Sequence, residues 1–252
     1  MHAHFDNPFA VFVLALTAQG LAVLAGDFIR RRAHRFRPGE RHDFATIQAA
    51  TLTLLALITG FSFSMAVSRY DQRKTLEEAE ANAIGTEYLR ADLLPDDLAP
   101  RMRDALRKYL DHRVAFYEAR DEQTAGEIDQ RTASLQAELW SSVLLGAKAP
   151  TPIMALAIAG MNDVINSLGY TQAAWWNRIP IGAWAMMVLM AVSCNLLVGN
   201  GEERKGSMIL FVLPVVVSIA FFLIADLDSP RGGVIRVVPQ NLEAAAQSMQ
   251  PH

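Results

Sequence analysis

The chain has 252 residues, of which 52% are hydrophobic and 19% charged, and it carries a net charge of −3. A soluble domain holds about 25% charged residues, so this composition excludes a disordered chain and argues against an ordinary soluble enzyme. The slightly acidic balance leaves no electrostatic footprint for nucleic acid. The single cysteine, Cys194, excludes an internal disulfide and a cysteine-built zinc or iron–sulfur site.

A helix needs roughly 20 apolar residues to cross the hydrocarbon core, and four runs meet that length. Pro8 to Gly26 is uncharged, and the helix can extend to Ile29. Phe44 to Val67 is uncharged over 24 residues. Ile179 to Gly201 and Gly206 to Ala225 complete the set, with Pro180 suited to a helix start and Pro214 able to kink the last span. The runs are continuous rather than alternating, and the backbone in lipid must satisfy itself, so they predict helices. Positive charge follows the first run instead of preceding it, which predicts an uncleaved anchor with its N-terminus outside.

Residues 68 to 178 hold 13 Lys and Arg and 17 Asp and Glu, and form the only soluble-like stretch. Three stripes recur there at helical spacing. They are Ala81, Ile84, Tyr88 and Ala91; Met102, Leu106, Tyr109, Leu110, Val114 and Tyr117; and Ile128, Leu135, Leu139 and Ser142. Nothing stops the second span at the membrane surface, so a helix of roughly 75 Å is expected from about Asp43 to Leu94. Glu77, Glu78, Glu80 and Glu87 on it read as a solvated face. Residues 149 to 177 predict a buried or interfacial helix, with Trp175 and Trp176 at an interfacial position.

The expected fold is therefore all-α: a polytopic membrane protein of four transmembrane helices with a long helical insertion between helices two and three. Residues 1–68 carry spans one (8–29) and two (44–68). Residues 69–178 form an extramembrane helical domain, 179–225 carry spans three (179–200) and four (206–225), and 226–252 form a tail. Six arginines lie between Arg30 and Asp43, and Arg204 and Lys205 follow span three. By the positive-inside rule both loops are cytoplasmic, which puts the helical domain outside.

No nucleotide-binding, metalloprotease or nucleophile-elbow motif is present, so no enzyme activity, cofactor or metal is expected. His2 and His4 read as terminal residues and His112 as solvated. In span two Gln48, Thr51, Thr59 and Ser62 share one face with Leu55, a pattern that serves either a wet pore or close helix packing. Phe61 and Phe63 flank Ser62 and suit a hydrophobic constriction. Ala18, Ala22 and Gly26 form a close-packing face, and Asn195 is an intramembrane amide expected to bond across helices.

The stretch GFSFSMAVSRYDQRKTLEEAEANAIGTEYLRADLLP, Gly60 to Pro95, resembles the bestrophin-like domain family of bacterial membrane proteins. The tail FLIADLDSPRGGVIRV, Phe222 to Val237, resembles the same family's ending. The resemblance implies similarity to bestrophins, pentameric anion channels in which span two lines the pore and aromatic residues form its neck. It makes Phe61, Ser62, Phe63 and Ser64 neck candidates beside Gln48, Thr51 and Thr59. Two features depart from bestrophins. Their excursion is cytoplasmic, and eukaryotic members have an acidic calcium clasp of which only Asp226 and Asp228 remain, too few for a six- to eight-oxygen cage. Within the motifs, Arg69, Asp71, Glu80, Asn82 and Arg90 are expected to meet Asp226, Asp228, Arg231 and Arg236 in an ion-pair network.

The leading functional expectation is an oligomeric ion channel, conducting anions by the resemblance, in a bacterial inner membrane. Its partners are the lipid bilayer, further copies of the chain and small inorganic ions. The alternative is a membrane-anchored sensor or scaffold whose helical domain binds a ligand or partner.

Overall fold

The computed structural model describes residues 7–32, 38–146, 151–201 and 208–250. His2, His4, Arg35, Arg37, Arg204 and Lys205, on which the sequence expectations drew, lie outside the described residues. Among the described residues the chain is all helical: α1 (Pro8–Arg32), α2 (Pro38–Arg90), α3 (Ala99–Glu118), α4 (Glu122–Gly146), α5 (Pro152–Trp176), α6 (Ile181–Asn200), α7 (Val212–Asp228) and α8 (Gln240–Ser248). Short 3₁₀ turns cover Ala91–Leu93 and Met208–Phe211. Among the described residues three stretches are long and apolar enough to cross a membrane: Pro8–Arg32, His42–Leu93 and Pro152–Asn200. In the second, the apolar part is the uncharged run 44–67; Arg69, Asp71, Arg73, Lys74 and four glutamates follow it.

The expected fourth span is shorter as a helix. α7 has 17 residues and is preceded by the 3₁₀ turn. Pro214 explains where it starts. It is the third residue of α7, where a backbone N–H has no helical partner to lose, so this proline sits in the first turn rather than kinking mid-span.

The chain divides into two compact units. The first comprises Met1–Arg69 and Arg178–Ile235, the second Tyr70–Asn177 and Arg236–His252.

In the first unit α1 begins at Asn7, whose side-chain oxygen accepts the N–H groups of Phe9 at 3.0 Å and Ala10 at 3.2 Å. That satisfies two of the helix's orphan donors. α1 packs on α6 and α7. Its backbone touches that of α6 where glycines face each other. A Cβ on Gly199 would lie 2.9 Å from the Val23 carbonyl carbon, and one on Gly26 would lie 2.9 Å from the Asn200 nitrogen. In lipid no hydrophobic force draws helices together, so close backbone approach through small residues supplies the van der Waals gain. Ala22 and Gly26 of the small-residue face are buried here, while Ala18 is exposed. Beneath them runs a neutral polar network. The Asn195 side-chain amide donates to Gln19 Oε1 at 2.9 Å, and Gln19 Nε2 donates to Ser218 Oγ at 3.2 Å. Ser218 in turn donates to the Pro214 carbonyl at 2.6 Å. The three side chains are buried and tie α1, α6 and α7 together.

The second unit is a helical bundle with an apolar core of Ile84, Leu106, Leu110, Leu139, Met161 and Val164 among others. Each fully buried side chain of this size contributes roughly 1.5–3 kcal/mol through removal from water. Thr151 caps α5 by accepting the Met154 N–H at 3.1 Å, with Pro152 at the first helical position. The expected solvated glutamate face is corrected here. Glu78 is exposed, but Glu77, Glu80 and Glu87 are buried. They alternate with Arg73, Ile84 and Ala91 at three- and four-residue spacing, so the buried face of this segment is itself charged.

Glu77 shows why such a face folds. Its Oε1 accepts the N–H groups of Asn241 and Leu242, both at 2.9 Å, and Oε2 accepts the Asn241 side chain at 2.6 Å. A carboxylate on α2 thus caps the first turn of α8, where a negative charge also suits the helix dipole.

Candidate functional site

Residues of the uncharged part of α2 sort onto two faces at about 100° per residue. One arc carries Gln48, Thr51, Leu55, Thr59, Ser62 and Ala66. Leu55, Ser62 and Ala66 are buried and the others half-buried. The polar stripe singled out in the sequence therefore turns into the protomer, alongside Leu55.

The opposite arc is exposed throughout. It runs Thr46, Ala50, Thr53, Leu57, Gly60 and Ser64, every one of them exposed in the protomer. Phe61 lies on one shoulder of this arc and is 66% exposed; Phe63 lies on the other and is 41% exposed. Two positions apart on a helix, the two rings point about 160° from each other and do not share a face. Ser64, by contrast, sits at the centre of the exposed arc. Thr46 and Thr53 were not singled out in the sequence, because their run of hydroxyls and small residues carries no hydropathy contrast with the stripe behind it.

The threonines of the exposed arc spend their protons within the helix. Thr46 donates to the His42 carbonyl at 3.0 Å and Thr53 to the Ala49 carbonyl at 2.9 Å. Outward they present methyl groups and oxygen lone pairs. The arc is weakly polar and uncharged, and the Ser64 hydroxyl at its centre is the side-chain donor left on it once Thr46 and Thr53 have bonded their own helix.

The charged residues of the two sequence motifs take distinct partners. Arg69 Nη1 lies 3.4 Å from Asp228 Oδ1. Both Asp228 oxygens also accept the Ile179 N–H, at 3.0 and 3.2 Å, so the end of α7 is tied to the chain two residues before α6. Asp226 is buried and accepts the backbone N–H groups of Val234 at 2.6 Å and Ile235 at 2.9 Å. The tail loops back over it at Gly233, where a Cβ would stand 2.7 Å from the Asp226 carbonyl oxygen. With both oxygens of Asp226 turned onto backbone donors, the residue organises the tail turn. Arg231 is buried, Arg236 half-buried, and Asp71 and Asn82 are exposed. Arg90 pairs with Glu87 at 3.6 Å.

Glu80 lies in the second unit, at the centre of a cluster drawn from four helices. Arg113 Nε of α3 donates to its Oε1, and Arg113 Nη2 stands 3.4 Å from Oε2. Tyr117 of α3 and Thr171 of α5 donate to Oε2 at 3.3 and 3.1 Å. Asp129 of α4 stands 3.7 Å from Arg113 Nη1, and the Phe116 ring lies under the guanidinium at 4.4 Å. Burial works against the Arg113 charge, but the charge and hydrogen bonds of Glu80 outweigh it and hold its pKa above the ordinary value. Burial and the negative charge of Glu80 push the hydroxyls of Tyr109 and Tyr117 up as well. The sequence stripe includes Tyr109 and Tyr117 of this cluster but not Phe116 or Arg113; the signal for Arg113 was its position within the apolar stripe of α3.

Among the described residues no three His, Cys, Asp or Glu side chains are placed to hold a metal ion.

A family model described as a bestrophin-like domain matches residues 11–242. No curated protein matches the chain. Crystal structures of a bacterial bestrophin homologue from Klebsiella pneumoniae have the same fold. One mutant form superposes with a TM-score of 0.62 at 13% identity, covering 96% of each chain. The form solved with zinc phasing gives 0.60 at 15% identity, covering 95% of this chain and 94% of that one.

Proposed function

The chain belongs to the bestrophin-like domain family, and on that premise we propose that it is an oligomeric membrane ion channel whose conduit is lined by the exposed arc of α2. The observation that carries this reading is the arc itself. An unbroken membrane-length face of Thr46, Ala50, Thr53, Leu57, Gly60 and Ser64 is left uncovered in the protomer, while the helix's other face is packed. A ring of copies, a pentamer by family resemblance, turns such arcs toward one axis. Phe61, with the largest exposed side chain at the arc's edge, forms the narrow point, where dewetting opposes passage. The inward stripe of Gln48, Thr51, Thr59 and Ser62 then serves packing, and Phe63 lies at the flank toward a neighbouring copy.

In the same reading α1, α2, α6 and α7 with its preceding turn are the four spans. Residues 69–178 stand outside the bilayer on the external face of a bacterial inner membrane, as the arginine loop implies. Arg69–Asp228 and the Asp226 turn hold the tail where the spans end, which leaves Asp71, Asn82 and Arg236 outside that fastening. The arc has no charged group, so it sets conduit width; anion preference comes with the family resemblance.

The test is flux in proteoliposomes under chloride and sodium gradients, with oligomeric mass measured on the same preparation. Phe61→Ala is expected to raise flux roughly threefold by widening the constriction. Thr51→Val, behind the helix, is expected to leave it unchanged. A monomer in several mild detergents, or equal flux in Phe61→Ala and the parent chain, overturns the assignment.

A further inference from the structure

Three glutamates on the second-unit segment of α2 are buried, and two are fully served: Glu80 by Arg113, Tyr117 and Thr171, and Glu77 by the first turn of α8. Glu87 is not. It is 1% exposed, and both carboxylate oxygens are buried without a hydrogen-bond partner. Arg90, on the same helix, stops at 3.6 Å, and a quarter of its side chain faces solvent.

α5 closes the other side. A Cβ at Gly160 would meet the Glu87 carboxyl carbon at 3.0 Å, so the missing side chain at Gly160 is what admits the carboxyl against the α5 backbone. Asp163, an exposed residue of α5, adds a like charge. Arg90 from α2 and Asp163 from α5 are the charged groups acting on Glu87 from the two helices around it.

An ionised carboxylate is an acceptor only, and out of water it needs donors at both oxygens. The neutral acid escapes most of that cost.

We propose that Glu87 is a proton-binding site: it carries a proton while α5 is seated on α2, and its ionisation loosens that contact. Burial pushes the carboxyl up to about 7; Arg90 pulls against the rise and Asp163 adds to it. The ordinary value is 4.5, so the folded unit binds an extra proton between there and about 7. The site's contribution is full below the ordinary value, falls as pH rises through that window, and is gone above it. The bound ligand is the proton, and the inference stands whether or not the chain conducts.

The experiment is pH-resolved infrared difference spectroscopy of the full chain in lipid nanodiscs, with amide hydrogen exchange of residues 152–176 corrected for the intrinsic effect of pH. The parent chain is expected to show a protonated-carboxyl C=O band at about pH 6 that is lost by about pH 8.5. Glu87→Gln is expected to lack the band and to hold α5 exchange constant across that range. Asp163→Asn is expected to lower the midpoint, and Arg90→Gln to raise it, each by about one unit. No carboxyl band titrating in this range overturns the proposal, as does a band that survives Glu87→Gln. If Glu87→Gln fails to fold, an unmoved midpoint in Asp163→Asn overturns it instead. Unchanged corrected exchange in the parent chain refutes the coupling to α5.

Discussion

The two units bury polar groups in opposite ways. Between α1, α6 and α7 of the first, the buried network is neutral: two amides and a hydroxyl, Asn195, Gln19 and Ser218. Among the described residues its buried charges, Asp226, Asp228 and Arg231, gather at and just beyond the end of α7, where the two aspartates are taken up by backbone N–H groups and Arg69. In the second unit, full charges sit in the core: Glu80 and Arg113 are both 0% exposed. The two patterns carry different costs. A charge within a bilayer-spanning segment costs several kcal/mol even after local relaxation. A charge in the core of a helical bundle can be held by a partner with good geometry, and losing that partner then carries a large penalty.

The contrast can be broken at three points, in descending order of effect. Arg113→Met leaves Glu80 buried without its cation and is expected to cost about 3–5 kcal/mol, read as loss of thermal stability of the solubilised chain. Adding Glu80→Leu to the same chain should recover much of that loss, since neither charge is then stranded. Recovery failing in the double variant would mean that Glu80 matters mainly through Tyr117 and Thr171. Glu77→Ala uncaps α8, for an expected cost of about 1–2 kcal/mol. That loss should appear as faster amide exchange confined to residues 240–249, and uniform exchange across the unit would refute the capping role. Asn195→Ala removes one neutral amide from the first unit. The expected cost is only about 0.6 kcal/mol and no more than about 1.7, because the unfolded helix in lipid also finds partners for its polar groups. A cost as large as that of Arg113→Met would erase the distinction between the units.

The residues differ in how far the sequence alone makes them legible. The all-helical character, the apolar stripes of α3 and the family were readable, since Met102, Leu106, Tyr109 and Leu110 recur at the helical period and are buried as a set. Asn195 was readable as a cross-helix donor, because an amide in an apolar run has few other options. Glu77, Glu80 and Glu87 were not readable as core residues. Hydropathy scores a carboxylate the same whether it faces water or Arg113, and the partners lie 33 residues away for Glu80 and 164 for Glu77. The run 206–225 was legible as apolar, yet the position of Pro214 places the start of the α-helix beyond the 3₁₀ turn.

What the sequence by itself determined is local: helix period, the lengths of the apolar runs, and the scarcity of charge that keeps those runs out of water. Which side of α2 is packed and which is left open was decided only by the tertiary structure. Gln48, Thr51 and Ser62 on one arc and Thr46, Thr53 and Ser64 on the other have nearly the same composition, so no one-dimensional pattern separates them. Contact with the rest of the protomer does, because burial is a property of the neighbours a face meets and not of the face alone.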